Sequence, residues 1–422
     1  MFNLKNVFNL ITSRLTKEDH KMQRLFEFVD FFKKEGLAPK FYSIETAGTE
    51  PEVMISGKKY LMFCSNNYLG LSTMQEIIQE TEKALKKHGL GPGGARFLCG
   101  NIDILEELDQ ETAKLVETED AITFPTGYMA NLAIFKALMD PIMGFLPYRK
   151  GEGVIFSDEF NHGTIIDGCR LSYAKKVIFR HNNLEDLERK ISRISTKQPS
   201  MIVTEGVFTP WGEVSPIPEI LEIAKKYNAI LMVDDAHGVG VLGNQGGGTI
   251  QHFGLQGQID VIMGSFDKAL GGMGGFLAGN KNLIEYLRIV SRPYLFSSAI
   301  SGVLAGGLIK AIQICKARQD LREKLFDNAN YITENLEKLG FKILGNKKTP
   351  VAPLFIGDEN KAIKFSEILF ERGVFCPSFR WPAVPKGTSR LRLTIMATHT
   401  HEHLDTLLNT IEKTGRELKI IP

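Results

Sequence analysis

Hydrophobic and polar positions change period along the chain, and the changes divide it. Residues 1–36 repeat with a helical period and carry an apolar stripe of Leu25, Phe26, Val29, Phe31 and Phe32, as expected of a polar arm that packs on something larger. VMISGKKYLMF then alternates about Gly57, which predicts a hairpin, and the Asn and Gly residues of CSNNYLGLS mark a tight turn. Over 74–145 the period is helical in MQEIIQETEKALKKHGL, ILEELDQETAKLVE and YMANLAIFKALM, broken by GPGGAR at 91–96 and FPTGY at 124–128. From 152 onward short β-branched runs (GVIFSD, KKVIFR, SMIVTEGVF, AILMVDDA, DVIMGSF) alternate with helical patterns such as NLEDLERKISRI and IPEILEIAKKY. Alternation of this kind predicts an α/β fold built on a mostly parallel, doubly wound sheet, with ligands at the carboxyl ends of its strands. A long helical region from LFSSAISGVL to ENLEKLG follows, and 341–420 then read as a small α+β domain. The expected division is an arm and hairpin over 1–56, a large domain over 57–305, and a linking helix with the small domain over 306–422. No repeat or low-complexity linker separates them, so the domains should pack closely.

Composition narrows the partners without naming a substrate. Hydrophobic residues make up 43% and charged residues 24%, ordinary for a globular protein, and a net charge of +2 offers no broad basic field for nucleic acid. Cys64, Cys99, Cys169, Cys315 and Cys376 are scattered with no C-x-x-C pair, which points to a reducing cytoplasm. No apolar run approaches the ~20 residues that span a bilayer, and the N-terminus lacks signal-peptide order. MFNLKNVFNLITSRL is expected to form a short amphipathic helix, and packing on this or a partner subunit is favoured over membrane contact. In His399-x-His401-x-His403 only residues 399 and 403 share a helix face and Thr400 reads as a helix N-cap, so no metal is expected.

The chemistry concentrates in LMVDDAHGVGVLGNQGGGTIQHFGLQGQIDVIMGSFDKALGGMGG at 231–275. One strand delivers Asp234 and His237 at its end, and a second apolar run delivers Lys268 into a glycine-rich turn. A carboxylate that keeps a pyridine nitrogen protonated and an amine that bonds an aldehyde are what a pyridoxal 5′-phosphate (PLP) site needs. Thr126-Gly127-Tyr128, after the strand-like AITFP and before a helix, would aim backbone N–H groups at an anion, although an ordinary strand-to-helix turn reads the same way. Asp158 and His162 follow GVIFSD, where an imidazole either lies on a ring face or caps a helix. The apolar and glycine company of Lys268 argues for a partly desolvated amine suited to nucleophilic and base chemistry.

SNNYLGL, GPGGARFLCG, FPTGYMAN, NHGTIIDGCRLS, VTEGVF, VDDAHGVGVLG, DKALGG, RPYLFSSA and VPKGTSRLRL occur in one order between about 57 and 415. In these the chain resembles the α-oxoamine synthase family of fold-type I PLP-dependent transferases. The resemblance implies an acyltransferase that condenses a small amino acid with an acyl thioester, carried on coenzyme A or an acyl carrier, and loses carbon dioxide. By position it makes Lys268 the residue bonded to PLP and the base that removes the Cα proton, Asp234 the partner of the pyridine nitrogen, and His162 the stacker on the ring. It puts His237 and Thr209 near the ring hydroxyl, Gly127, Tyr128 and Ser265 on the phosphate, and Ser298 on the phosphate of a second subunit's site. Asn66 and Arg392 would hold the amino-acid carboxylate, a task suited to a guanidinium. It also implies a homodimer with shared active sites. Among family members, SNNYLGL, DGCRLS and VPKGTSRLRLTIMATHT look most like 8-amino-7-oxononanoate synthase, which uses L-alanine. SRPYLFS and PAVPKG also look like glycine C-acetyltransferase, and the long arm is compatible with a serine palmitoyltransferase.

Three departures stand out. Asp267 precedes the lysine where the family usually has Ser or Gly, Thr209-Pro210-Trp211-Gly212 replaces S-M-D-G, and Leu105 replaces a common histidine. A carboxylate beside the amine would raise its pKa unless it points away. An aminotransferase and a non-catalytic partner subunit are the rival readings. NHGTIIDGCRLS and VPKGTSRLRL argue against the first, and Lys268, Asp234, His237, His162 and Arg392 together argue against the second.

Overall fold

The β-branched runs become strands of one sheet. In the computed structural model, which describes residues 22–34, 40–140 and 149–422, a helix Gln23–Lys34 precedes the hairpin of β1 (Glu52–Ile55) and β2 (Lys58–Met62). The hairpin turns on left-handed backbone at Ser56 (φ 50°) and Gly57 (φ 69°), the geometry that two-residue β-turns require. There follow β3 (Asp120–Phe124), β4 (Val154–Asp158), β5 (Lys175–Phe179), β6 (Ser200–Glu205), a ribbon of β7 (Val207–Phe208) and β8 (Glu213–Val214), β9 (Ile230–Asp234), β10 (Val261–Ser265) and β11 (Gly275–Gly279). The central sheet runs β3-β11-β10-β9-β6-β4-β5, parallel from β10 to β5. β11 is antiparallel to both its neighbours. With glycines at 264, 275 and 279 its neighbourhood lacks the β-branched signature, which is why periodicity passes over it.

Alternate residues of these strands feed opposite cores. Phe156, Ile202, Val233 and Ile262 pack in one cluster with Leu105, Leu108, Leu187 and Leu221 from the helices Asp103–Leu115, Leu184–Ile191 and Ile217–Tyr227. Ile155, Val203, Met232 and Met263 pack on the other face with Phe135 and Ile165 of the helices Gly127–Met139 and Gly163–Leu171. Both faces are therefore apolar, the reason the strands read as continuous hydrophobic runs. Leu105, at the family's histidine position, is fully buried here.

The long helical region is two helices, Gly302–Ala317 and Gln319–Lys338, broken at Arg318. Beyond it lie β12 (Val351–Gly357), the helix Glu359–Glu371, β13 (Val374–Phe375), β14 (Ser378–Phe379), β15 (Ser389–Thr394) and the helix His401–Glu417. One sheet here is β12-β15-β14, and β13 pairs with β2, so the hairpin that crosses residue 57 joins this end of the molecule. A third core of Phe63, Leu354, Phe365, Leu391 and Leu404 fills it.

His399 stacks on Phe63 at 4.3 Å, accepts from the Met396 N–H and bonds the Met62 carbonyl, and burial pushes its pKa down to about 3. Thr400 and His403 cap the last helix reciprocally. Among the described residues no group of three or more His, Cys, Asp or Glu is arranged to hold a metal, and no helix is long and apolar enough to cross a membrane. In the first helix Leu25, Phe26 and Val29 are exposed, and the stretch MFNLKNVFNLITSRL lies outside the described residues.

Candidate active site

A cavity of about 1020 Å³ opens where β6, β9 and β10 end, and Asn66, Gly127, Tyr128, His162, Thr209, Asp234, His237, Ser265, Lys268 and Arg392 all line it. Ser298 does not line it and is exposed. Parallel register sets Glu205 beside Asp234 at the strand ends, so two carboxylates meet at the floor. Asp234 is 6% exposed, and its carboxylate accepts from Asn131 Nδ2 at 2.8 Å and the Ala236 N–H at 3.2 Å. Burial and the Asp234 charge push the Glu205 carboxyl well above its ordinary range, and Glu205 accepts from the His162 N–H at 2.7 Å.

Of the two roles that sequence offered for His162, helix capping is present, and the residue also lines the cavity. It is the N-cap of the helix Gly163–Leu171, accepting from the Thr164 N–H through Nδ1, and it also faces the cavity. Because Nδ1 accepts, its proton resides on Nε2. Asn131 Nδ2 also donates to Thr164 Oγ1 at 2.9 Å, tying the His162 cap to Asp234. His237 is held neutral, well below its usual pKa, by burial and then by the Lys268 and Arg392 cations, and its Nδ1 lies 2.9 Å from the Tyr68 hydroxyl. Asp158, by contrast, turns away from the cavity and accepts from His181 at 2.9 Å.

The helix Gly127–Met139 starts at the cavity. Thr126 Oγ1 accepts from the Met129 N–H, and the N–H groups of Gly127 and Tyr128 stand at the open end of the helix. This end sits close to β11: a Cβ on Gly275 would lie 2.5 Å from Gly127 Cα, so glycine is required for the approach. The Lys268 side chain is 15% exposed, and Asp267 does not point away from its amine: Oδ1 lies 3.3 Å from Nζ and also accepts from Ser265 Oγ.

Arg392 Nη2 donates to Asn66 Oδ1 and Nη1 to Thr209 Oγ1, both at 3.3 Å, while its buried Nε has no partner among the described residues. The guanidinium is thus positioned by neutral groups and keeps its charge for an anion. Trp211, at the tip of the β7–β8 ribbon, is sandwiched between Phe160 (4.2 Å, 6°) and Arg390 (3.9 Å). With Phe379, Trp381 and Val384 it makes the outer wall apolar.

This donor set fits a phosphorylated pyridine aldehyde. Asp234 suits a ring N–H⁺, Lys268 an aldehyde, and the N-terminus at Gly127 with Ser265 a phosphate, where the close packing at Gly127 leaves backbone N–H groups uncovered by side chain. Asn131, Glu205 and Tyr68 were not singled out by sequence, although each lies inside a quoted motif, FPTGYMAN, VTEGVF and SNNYLGL.

Comparison with known proteins gives the family of the chain. A family model for aminotransferase class I and II matches residues 58–411. The chain is 42% identical to an 8-amino-7-oxononanoate synthase of Thermoanaerobacter pseudethanolicus, covering 95% of this chain and 99% of that protein. It is 42% identical to one of Lysinibacillus sphaericus, with 92% and 97% covered. Among solved structures, a serine palmitoyltransferase from S. paucimobilis with PLP and myriocin bound superposes with a TM-score of 0.87 at 31% identity, covering 95% of this chain and 99% of that one. The chain belongs to the class I and II aminotransferase family and, within it, to the α-oxoamine synthases, PLP-dependent acyltransferases of this fold.

Proposed function

We propose that this enzyme condenses L-alanine with an acyl thioester, releasing thiol and carbon dioxide, as an 8-amino-7-oxononanoate synthase does. The observation that carries the reading is the convergence of Lys268, Asp234, His162 and Arg392 on one cavity, in a chain about 40% identical to such synthases over most of its length. The product named for those relatives is a nine-carbon chain. Subtracting the two alanine carbons that survive decarboxylation leaves a seven-carbon acyl group ending in a carboxylate.

PLP, when bound, supplies the sink for the electron pair of the Cα–H bond. Each residue then has a task that its position supports. Asp234, fixed by Asn131 and Ala236, would hold the proton of a ring nitrogen. Arg392 and Asn66 would hold the amino-acid carboxylate, presenting the Cα–H bond to Lys268 Nζ, which would take the proton. His162 Nε2–H would donate to the thioester carbonyl as negative charge develops there, and its ring is placed to stack on a bound cofactor. Neutral His237, held by Tyr68, and Thr209 would hold a ring hydroxyl, and the N–H groups of Gly127 and Tyr128 with Ser265 would hold a phosphate. The apolar wall of Trp211, Phe160 and Trp381 suits the acyl chain and limits water in the cavity.

The reading includes a homodimer in a reducing cytoplasm. Ser298 lies outside its own chain's cavity, as a contributor to a partner's site would, and Phe97, Leu98 and Phe296 are exposed apolar groups that a second copy would cover. The five cysteines are free. A panel of glycine, alanine and serine against short and long acyl-CoA thioesters, followed by thiol release, tests the substrates. Alanine with a seven-carbon acyl group should give the highest kcat/KM. Preference for serine with a long chain, or for glycine with acetyl-CoA, would replace this reading by that of the corresponding relative.

A further inference from the structure

Asp267 brings a carboxylate to a place built for an anion. Its Oδ1 accepts from Ser265 Oγ and lies 3.3 Å from Lys268 Nζ. The same Ser265 hydroxyl stands 3.4 Å from the Cβ position of Gly127, at the open N-terminus of the helix Gly127–Met139. A hydroxyl, an ammonium and a helix N-terminus together attract negative charge. Asp267 supplies it, and with a side chain 52% exposed it has room to swing away.

We propose that Asp267 is a built-in counter-anion of the cofactor cradle: it occupies Ser265 and Lys268 in the cofactor-free protein, and the cofactor phosphate must displace it from Ser265. The proposal rests on the reading of Ser265 and Lys268 as cofactor residues. A serine hydroxyl has one proton to donate, so carboxylate and phosphate cannot both receive it. Binding therefore exchanges one charge-assisted hydrogen bond for another and sets two anions close together. Asp267 thus makes cofactor affinity weaker than the rest of the cradle would give, by about tenfold for the loss of one such bond. The penalty falls on the phosphate end.

Calorimetric titration of the cofactor-free protein with PLP, with pyridoxal, which lacks the phosphate, and with inorganic phosphate tests this. Asp267→Asn, which keeps the shape and removes the charge, should bind PLP and phosphate about tenfold tighter and pyridoxal within twofold of wild type. Asp267→Ser should move in the same direction, so a folding defect in one variant leaves the other to decide. Unchanged or weaker PLP binding overturns the proposal. So does an equal gain for PLP and pyridoxal, which would assign the effect to Lys268 alone. Lys268→Ala separates this failure from that of the underlying reading: if it leaves PLP binding untouched, the cofactor assignment falls and the proposal with it. If it weakens PLP binding while Asp267→Asn changes nothing, only the proposal falls.

Discussion

Replacing Asn131 by alanine cuts the link between the two halves of the cavity floor. Its Nδ2 donates to Asp234 Oδ2 at 2.8 Å and to Thr164 Oγ1 at 2.9 Å, and Thr164 in turn lies 2.9 Å from His162 Nδ1. The residue is 1% exposed, so water is not at hand to replace the amide. A charge-assisted bond contributes roughly 1.5–3 kcal/mol and a neutral one about 1, which puts the stability loss at roughly 2.5–4 kcal/mol. Only the part that grows in the transition state slows turnover, and a share of roughly 1.4–2.7 kcal/mol lowers kcat tenfold to a hundredfold. The larger effect should come through Asp234, left with the Ala236 N–H alone and less able to keep a ring nitrogen protonated. The assay is thiol release at saturating alanine, acyl thioester and PLP, with PLP affinity measured separately and folding checked by circular dichroism. A folded Asn131→Ala protein with kcat within twofold of wild type would show that the amide does not support Asp234 in turnover, as would a loss explained entirely by weaker PLP binding.

Three further outcomes are expected. Lys268→Ala should lose both the visible absorbance of lysine-bound PLP and turnover. Borohydride should then fix no cofactor to the chain, and a cofactor still fixed after reduction would assign the bond to another residue. Arg392→Lys should raise the KM for the amino acid at least tenfold, because an ammonium cannot reproduce the two-pronged hold of a guanidinium on a carboxylate; an unchanged KM would remove Arg392 from that role. The third concerns stability. Burial alone would lower the His181 pKa, but hydrogen bonds to Asp158 and Glu213 outweigh it and raise it to about 9. A folded-state pKa above the unfolded one stabilises fully below about 6.5, and that contribution is lost as pH climbs through about 9, an effect on the order of 3 kcal/mol. Urea midpoints should fall between pH 6.5 and 9.5 in wild type and much less in His181→Asn; identical falls in both would contradict the assignment.

Cavity residues that stand at or just past the end of a strand were legible in the sequence. Asp234 and Lys268 stand where an apolar run stops, and so does the turn at Thr126-Gly127, and the carboxyl ends of parallel strands are where ligand cavities form. Asn131 and Glu205 were not, since their roles depend on partners 103 and 43 residues away and each sits inside an apolar segment that reads as core. β11 escaped for a related reason: Gly275 is there to let Gly127 approach, and a residue chosen for having no side chain leaves no periodic signal. Sequence does not fix the direction of Asp267, because a side-chain rotation separates a carboxylate in solvent from one on Ser265.

A site that joins an amino acid to an acyl group with loss of carbon dioxide releases carbon dioxide and free thiol together. Both can be measured in one reaction of L-alanine with a seven-carbon ω-carboxyacyl thioester. Equal amounts of the two are expected, growing at the same rate and absent with Lys268→Ala. Conversion of alanine to its keto acid with no thiol released would instead make the enzyme an aminotransferase.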